Sequence, residues 1–157
     1  MNRKEVAIQD VYPEDFSHCY GCGRLNAHGH QLKSRGQGEK VVATFEPEPW
    51  HLSVPGFSYG GLIASLIDCH AMATAAAATY RAEGREPGSK PALRFVTASL
   101  KVDYLKPTPI GTLELSAQAR EIGARKVLVD VELAAGGVVT ARGDVVAVRI
   151  PEAMRGQ

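Results

Sequence analysis

The chain has little net charge and few cysteines, and each shortage excludes a class of protein. It has 18 Lys and Arg against 17 Asp and Glu, which leaves a formal charge of +1. The basic residues are scattered rather than clustered, so the electrostatic footprint of a nucleic-acid-binding protein is missing. Three cysteines in 157 residues are too few, and odd in number, for a disulfide scaffold. A reducing cytoplasm is therefore the expected location.

The sequence also lacks the apolar segments that target a protein to a membrane or anchor it there. Residues 1–16 contain acidic residues and a proline where a secretory signal needs an unbroken apolar stretch. The most apolar run, Gly60 to Tyr80, approaches the length of a membrane span but contains Asp68 and His70. We therefore expect a buried core helix there and no membrane partner.

The apolar content is that of one ordinary globular domain. Hydrophobic residues make up 45% of the chain and charged residues 22%, which excludes a mainly disordered protein. A length of 157 residues fits a single hydrophobic core. We predict an N-terminal arm at 1–18, a domain at 19–151 and a tail at 152–157, with residues 1–12 and 152–157 expected to fray.

The order of elements predicts an α+β fold. Residues 30–35 and 40–46 predict a hairpin, and a loop rich in Pro and Gly follows. Good helix formers run from Gly61 to about Glu83 and are apolar nearly all round, which indicates a long helix that other elements wrap. The simplest architecture is a curved antiparallel sheet of about five to six strands around one long central helix.

Alternating apolar residues predict four antiparallel strands after that helix, joined by short turns. The first covers 92–105, with Val96, Leu100 and Tyr104 on an apolar face and Thr97 on the opposite, polar face. The next two begin near Leu113 and Val127. The last covers 138–150, is apolar on both faces and is expected to be central in the sheet.

The start of the long helix is the stretch with chemical content. Gly60 and Gly61 let a substrate approach backbone amides that have no acceptor within the helix, and the helix dipole favours negative charge there. Asp68 returns to nearly the same face two turns later, with Ser65 between. A carboxylate in an apolar helix is costly to bury, which favours a catalytic role. From spacing alone, a structural Asp and glycines that only permit tight packing are equally consistent.

Residues 59–68, Tyr-Gly-Gly-Leu-Ile-Ala-Ser-Leu-Ile-Asp, closely resemble the core motif of PaaI-like acyl-CoA thioesterases of the hotdog-fold superfamily. In that family a His-Gly-Gly opens the long helix and an Asp lies seven positions after the second glycine. The segment at 19–29, Cys-Tyr-Gly-Cys-Gly-Arg-Leu-Asn-Ala-His-Gly, and the strand end at 102–111 are similar to further family motifs. The resemblance covers about residues 19–150 and implies the hotdog fold.

The resemblance implies hydrolysis of acyl-CoA thioesters, with no cofactor and no metal. Asp68 would be the general base that activates water or the nucleophile that attacks the thioester carbon, and the Gly60 amide would polarise the carbonyl. Thr97 falls where a related enzyme type places a hydroxyl beside the attacking water, and Ser53 where an Asn often positions the substrate. Further pocket residues would be Tyr59, in place of the more usual His, with Gly61 and Ser65.

Helix geometry predicts that one chain cannot complete the site. Gly60 and Asp68 are eight residues apart, about 12 Å along a helix, while each must lie within about 3 Å of the reacting group. The resemblance likewise implies an obligate homodimer, often doubled to a tetramer. Lys106, Arg125 and Lys126 lie at turns and are candidates for contacting the CoA phosphates, although ordinary solvated charge is at least as consistent.

Other interpretations of the same residues remain open. Cys19, Cys22, His28 and His30 are residue types that bind zinc, but the two histidines are closer together than usual, so we expect no metal. His70 lies about 200° round the helix from the acidic residue and is expected to be a core histidine rather than a triad member. Acyl-CoA binding without turnover is the alternative function. Hydratase chemistry is disfavoured because its loop motif is not found.

Overall fold

The computed structural model describes residues 6–155 and places one long helix against a single antiparallel sheet. The helix α1 spans Gly60–Ala82. The strands are β1 Arg35–Gln37, β2 Lys40–Phe45, β3 Phe95–Tyr104, β4 Leu113–Ile122, β5 Lys126–Ala135 and β6 Val138–Arg149. Their order in the sheet is β1-β2-β4-β5-β6-β3. The predicted α+β architecture, one long helix packed on a six-stranded antiparallel sheet, is confirmed.

Helix α1 is buried on several sides because five strands pack against it. It contacts β2, β3, β4, β5 and β6, which agrees with its apolar residues all round. By length and composition α1 would suffice to cross a membrane, but 67% of its most apolar window is buried inside the protein. The sheet supplies the other half of the core through alternating residues of β4 and β5: Leu113, Leu115, Ala117, Val127, Val129, Val131 and Leu133.

A glycine in β6 sets how closely α1 approaches the sheet. A Cβ atom at Gly143 would lie 2.3 Å from Cγ2 of Ile67, which is impossible without movement of a fully buried side chain. Only a residue without a side chain therefore fits at this crossing. Since Asp68 follows Ile67, this contact also fixes the depth at which the carboxylate lies.

Contrary to the prediction from the sequence, the four strands after the helix are not all joined by short turns. Strand β3 is an edge strand paired only with β6, whereas β4 lies between β2 and β5. The connection at 105–112 therefore crosses from one side of the sheet to the other instead of forming a hairpin. Strand β6 lies between β5 and β3, so its predicted central position is confirmed. Strand β1 begins only at Arg35, and residues 30–34 lie outside the strands.

The N-terminal segment is packed, contrary to the expected fraying of residues 1–12. Ala7, Ile8 and Tyr12 are buried in the core, and Ile8 donates a backbone hydrogen bond to Ser34 at 2.9 Å. The expectation for the first five residues lies outside the described part of the chain. Apolar residues in a short, irregular segment give no periodic signal, so their burial was not visible in the sequence.

Candidate functional site

A β-bulge in β3 decides which side chains face the helix. Thr97 pairs with Ala147, but Ser99 pairs with the adjacent Val146, so Ala98 is one residue too many for the ladder. An inserted residue shifts the alternation of side chains by one from that point onward. The two halves of β3 therefore present residues of opposite parity to α1.

The bulge brings Thr97 to the acidic residue of the helix. Thr97 donates a hydrogen bond through Oγ1 to Asp68, and Tyr104 at the other end of the strand donates to the Gly60 carbonyl at 2.6 Å. Both side chains therefore point towards α1. The prediction that Thr97 lies on the face opposite Tyr104 was wrong. It assumed that side chains alternate without interruption along β3, whereas the bulge shifts the alternation by one residue.

The predicted apolar face of β3 is only partly covered. Leu100 is 38% exposed and Tyr104 is 52% exposed, and most other residues of this strand are exposed too. An edge strand also presents backbone groups that no neighbouring strand pairs. The chain therefore displays a partly apolar, unpaired strand beside its helix start.

Asp68 is half-buried, and its surroundings shift its acidity. Burial raises the pKa of the Asp68 carboxyl, because the charged form loses hydration. The hydrogen bond from Thr97 opposes this rise, the Cys19 sulfur adds to it, and the Arg94 guanidinium lowers the pKa. An ionised carboxylate that is incompletely hydrated is a stronger proton acceptor than an exposed one, which suits a general base.

The helix start offers amides that are free to bind an anion. Ile63 makes the first helical hydrogen bond, to the Tyr59 carbonyl at 3.2 Å, so the amides of Gly60 and Gly61 precede the first helical bond. The Tyr59 ring covers Gly61 so closely that a Cβ there would lie 2.4 Å from it. Tyr59 as a whole is 54% exposed. The Tyr59 ring thus lies against the first turn of α1.

The helix start and Asp68 lie at separate places in one chain. Gly60 is held by Tyr104 and Asp68 by Thr97, which are seven residues apart on β3. Along α1 the eight-residue interval corresponds to about 12 Å. The Gly60 amide and the Asp68 carboxylate of one chain are therefore too far apart to contact the same small group.

The two predicted serines are bonded within their own segments. Ser65 is half-buried and donates to the Leu62 carbonyl at 2.8 Å. Ser53 is exposed, and its Oγ accepts from the Val54 amide at 2.6 Å in the loop before the helix. Each hydroxyl thus makes a hydrogen bond with the backbone of its own segment and not with Asp68.

The three predicted cations do not form one group in the chain. Lys106 follows the Tyr104 end of β3, and its amide donates to the Thr140 carbonyl. Arg125 and Lys126 lie at the opposite end, since the Arg125 carbonyl accepts from Arg149, which pairs with the first residue of β3. Ten strand residues separate these ends by about 30 Å. All three side chains are exposed.

His70 is a core histidine, as predicted, and is fully buried. Its Nε2 donates to the Val41 carbonyl at 2.9 Å and its Nδ1 accepts from the Ser34 hydroxyl at 2.8 Å. Burial lowers the pKa of His70 to about 4. The ring is therefore neutral and bonded at both nitrogens, which leaves it no part in proton transfer.

Sequence reasoning missed a cluster beside Asp68. The sulfur atoms of Cys19, Cys22 and Cys69 lie within 4.8 Å of one another. Neither His28 nor His30 belongs to this group, so the set of ligands considered from the sequence does not assemble. Cys69 follows Asp68 directly in the chain. This position, one residue from the candidate carboxylate, was the only hint in the sequence that a cysteine lies near the site.

An aromatic cleft lies in front of the helix start and was also missed. It has a volume of about 640 Å³. The His51 carbonyl accepts the Tyr59 amide at 2.9 Å, which places this cleft next to the amides of the helix start. The side chains of His30, Phe45 and Trp50 each pack edge-on or tilted against the His51 ring.

The amino-acid sequence is similar to that of known proteins over its central and C-terminal parts. A family model described as the thioesterase superfamily matches residues 55–146. Acyl-coenzyme A thioesterase THEM4 of Xenopus laevis is 33% identical over 95 residues, which cover 60% of this chain and 37% of that protein. The chain thus spans little more than a third of that curated relative's length.

Solved structures extend the likeness over most of the chain. A thioesterase superfamily protein from Shewanella loihica PV-4 is 45% identical, with coverage of 91% of this chain and 99% of that chain and a TM-score of 0.68. The E. coli PaaI protein from the phenylacetic acid degradation operon shares the fold at 20% identity. That match covers 78% of this chain and 81% of PaaI, with a TM-score of 0.63.

Proposed function

Because the chain belongs to the thioesterase superfamily, we propose that it hydrolyses the thioester of an acyl-CoA to the free acid and CoA. The resemblance to PaaI-like thioesterases drawn from the helix motif is confirmed by these matches. The observation that carries the proposal is the Asp68 carboxylate, half-buried and held by Thr97 on the bulge of an exposed edge strand.

In this proposal Asp68 acts as a general base. The Thr97 hydroxyl engages Oδ1 of Asp68, which leaves Oδ2 to accept a proton from the attacking water. The water oxygen bonds to the thioester carbon, the carbonyl oxygen becomes negative and the Gly60 amide stabilises it. Collapse of this intermediate breaks the carbon–sulfur bond. The CoA thiolate leaves and takes up the proton that Asp68 had accepted.

The proposed site needs a homodimer in which each subunit lends its helix start to the Asp68 of the other. The separation of Gly60 from Asp68 in one chain supports this arrangement. So does the exposed edge strand β3, whose Leu100 and Tyr104 a partner would cover. A two-fold axis then creates two equal sites, since each surface meets its own copy. A further doubling to a tetramer stays a prediction, as does the cytoplasmic location.

The direct test measures release of the CoA thiol from acyl-CoAs that differ in chain length and aromatic character. We expect turnover by the wild-type protein and a loss of about 10²- to 10⁴-fold in kcat for Asp68→Asn, since a general base contributes that much. Acyl-CoA binding without thiol release from any member would contradict the proposal and favour a binding protein.

Label in the Asp68 carboxyl after a single turnover in water labelled with ¹⁸O would identify Asp68 as a nucleophile. A general base leaves the label in the released acid only. A nucleophile forms an anhydride with the acyl group, and hydrolysis of that anhydride can place label in the Asp68 carboxyl. We expect a peptide containing Asp68 to keep its unlabelled mass.

A further inference from the structure

Three cysteines form a compact sulfur cluster next to the proposed catalytic carboxylate. The Cys19 and Cys69 sulfurs are 3.8 Å apart, and the Cys22 sulfur lies within 4.8 Å of both. Cys22 and Cys69 are buried, whereas Cys19 is half-buried. Cys19 is therefore the most exposed residue of the cluster.

Gly21 allows this close approach between the loop and the helix. A Cβ atom at Gly21 would lie 2.2 Å from the Cys69 sulfur. The loop residues 19–22 therefore rest directly on α1 at the turn that bears Asp68. The sulfur of Cys69 fills the space that a side chain at Gly21 would need.

Polar groups around the cluster favour negative charge on sulfur. The Arg94 guanidinium lies 5.0 Å from the centre of the Tyr12 ring and interacts electrostatically with all three cysteines. The buried Tyr12 hydroxyl has no hydrogen-bond partner among the described residues and is close enough to Cys22 and Cys69 to interact with their charge. A cation and an unused donor are what a thiolate needs in a buried place.

Within the cluster the charge belongs on Cys19. Hydrogen bonds from Cys22 and Cys69 lower the pKa of the Cys19 thiol far below its usual range. The bond to Cys19 raises the pKa of Cys22 to about 12 and likewise raises that of Cys69. Cys19, the least buried of the three, is therefore the cysteine most favoured as a thiolate.

We propose that Cys19 and Cys69 form a thiol–disulfide exchange site that takes a low-molecular-weight disulfide. The Cys19 thiolate attacks one sulfur of the disulfide, forms a mixed disulfide and releases one small thiolate. Cys69 then loses its proton to solvent and attacks the Cys19 sulfur, which releases the second small thiolate. The protein loses two electrons, and the small disulfide gains them.

Oxidation at this site changes the electrostatics of the proposed base. The Cys19 sulfur raises the pKa of Asp68, while Arg94 lowers it. A Cys19–Cys69 disulfide removes the negative charge and leaves Arg94 in place. The pKa of Asp68 therefore falls, and the acid limb of the kcat/KM profile moves to lower pH.

The test treats reduced wild-type protein with glutathione disulfide or CoA disulfide, alkylates the remaining thiols after denaturation and maps the peptides. We expect Cys22 alone to be alkylated and a peptide joined through Cys19 and Cys69. Equal rates with both reagents would mean that the site accepts any small disulfide. A faster reaction with CoA disulfide would mean that the site recognises the CoA moiety. Alkylation of all three cysteines, or a Cys19–Cys22 link, overturns the proposal.

Serine variants separate the steps. We expect Cys69→Ser to stop at a mixed disulfide on Cys19, and Cys19→Ser not to react. Cys22→Ser is the matched control and should still form the link. If a buried serine prevents folding, the peptide map of the wild-type protein decides alone.

Only the activity measurement rests on the proposed thioesterase function, because thiol counts and peptide masses need no turnover. Reduced Cys19→Ser should already show the acid limb displaced to lower pH, without added disulfide. An acid limb that coincides in oxidised and reduced wild-type protein contradicts the link to Asp68, whatever the peptide map shows.

Discussion

At the scale of single residues, opposing influences determine the pKa of the Asp68 carboxyl. Burial disfavours its charged form, and the Thr97 hydroxyl favours it. The pKa of the Asp68 carboxyl therefore lies above the ordinary value but below what burial alone would give. The bulge in β3 is what makes this balance available, since it points Thr97 at the helix.

Replacement of Thr97 by valine should shift the pH dependence of turnover. The variant keeps the shape of the side chain but loses the hydrogen bond to the charged carboxylate, so the pKa of Asp68 rises. A general base works only when deprotonated, and the acid limb of kcat/KM therefore moves to higher pH. Thr97→Ser keeps the hydroxyl and serves as the control. Identical profiles for Thr97→Val and wild type would count against the role of this bond.

The role of the Gly60 amide can be tested without loss of the helix. Proline is tolerated at the first helical position, and the extended conformation of Tyr59 suits a following proline. Gly60→Pro thus removes the N–H alone, and we expect a kcat about 10²- to 10³-fold below that of Gly60→Ala. The alanine control keeps the amide, and its Cβ would lie 3.6 Å from the Tyr104 ring, an ordinary contact. Equal kcat values for the two variants would exclude the amide as oxyanion donor.

At the scale of elements, the crossing of α1 over β6 determines where the carboxylate lies. The helix carries almost no periodic preference for one side, because its residues are apolar nearly all round. Its position is set instead by where the sheet leaves room, and Gly143 provides that room beneath Ile67. A property of the strand thus fixes the depth of a residue on the helix.

Gly143→Ala should destabilise the protein by about 1–3 kcal/mol, the usual cost of overpacking a core. The added methyl group meets Cγ2 of the buried Ile67. Urea unfolding of the single variants and of Gly143→Ala with Ile67→Ala gives the coupling between them. The alanine at 143 should cost less in the Ile67→Ala background. Additive effects would show that the crossing has room to spare.

At the scale of the whole molecule, the proposed dimer makes a prediction about mixed subunits. Gly60→Pro lacks the proposed oxyanion donor, and Asp68→Asn lacks the proposed base. Equal mixing with subunit exchange makes about half of the dimers heterodimers, each with one intact site out of two, so activity should recover to about a quarter of the wild-type value. Unmixed variants are the controls. No recovery after verified exchange would mean that one chain supplies both groups.

The edge strand should mediate that dimer. Leu100 is 38% exposed in the chain, so Leu100→Lys costs the fold little but places a charge where a partner would pack. We expect a monomer by light scattering, with loss of thiol release. Ile122→Lys is the matched control, since Ile122 is 43% exposed at the end of β4, which β5 and β6 separate from β3. A dimeric Leu100→Lys protein would place the interface elsewhere.

The sequence by itself determined the elements and the chemistry of the motif. A long run of good helix formers revealed α1, and the alternation of apolar residues revealed the strands after it. The paired glycines and the carboxylate in an apolar helix also stood out as local features of the sequence. The prediction of a second subunit likewise came from the fixed rise of a helix.

Only the tertiary structure decided what depends on contacts between distant segments. The bulge that turns Thr97 towards Asp68 exists because β3 pairs with β6, and a one-residue insertion leaves no mark in the alternation of a single strand. The edge position of β3 and the packing of residues 7–12 depend likewise on distant neighbours. Cys19 and Cys69 are fifty residues apart in the chain but lie side by side in the fold. Their charge environment, which includes Arg94, depends on this packing and is not visible in any local pattern.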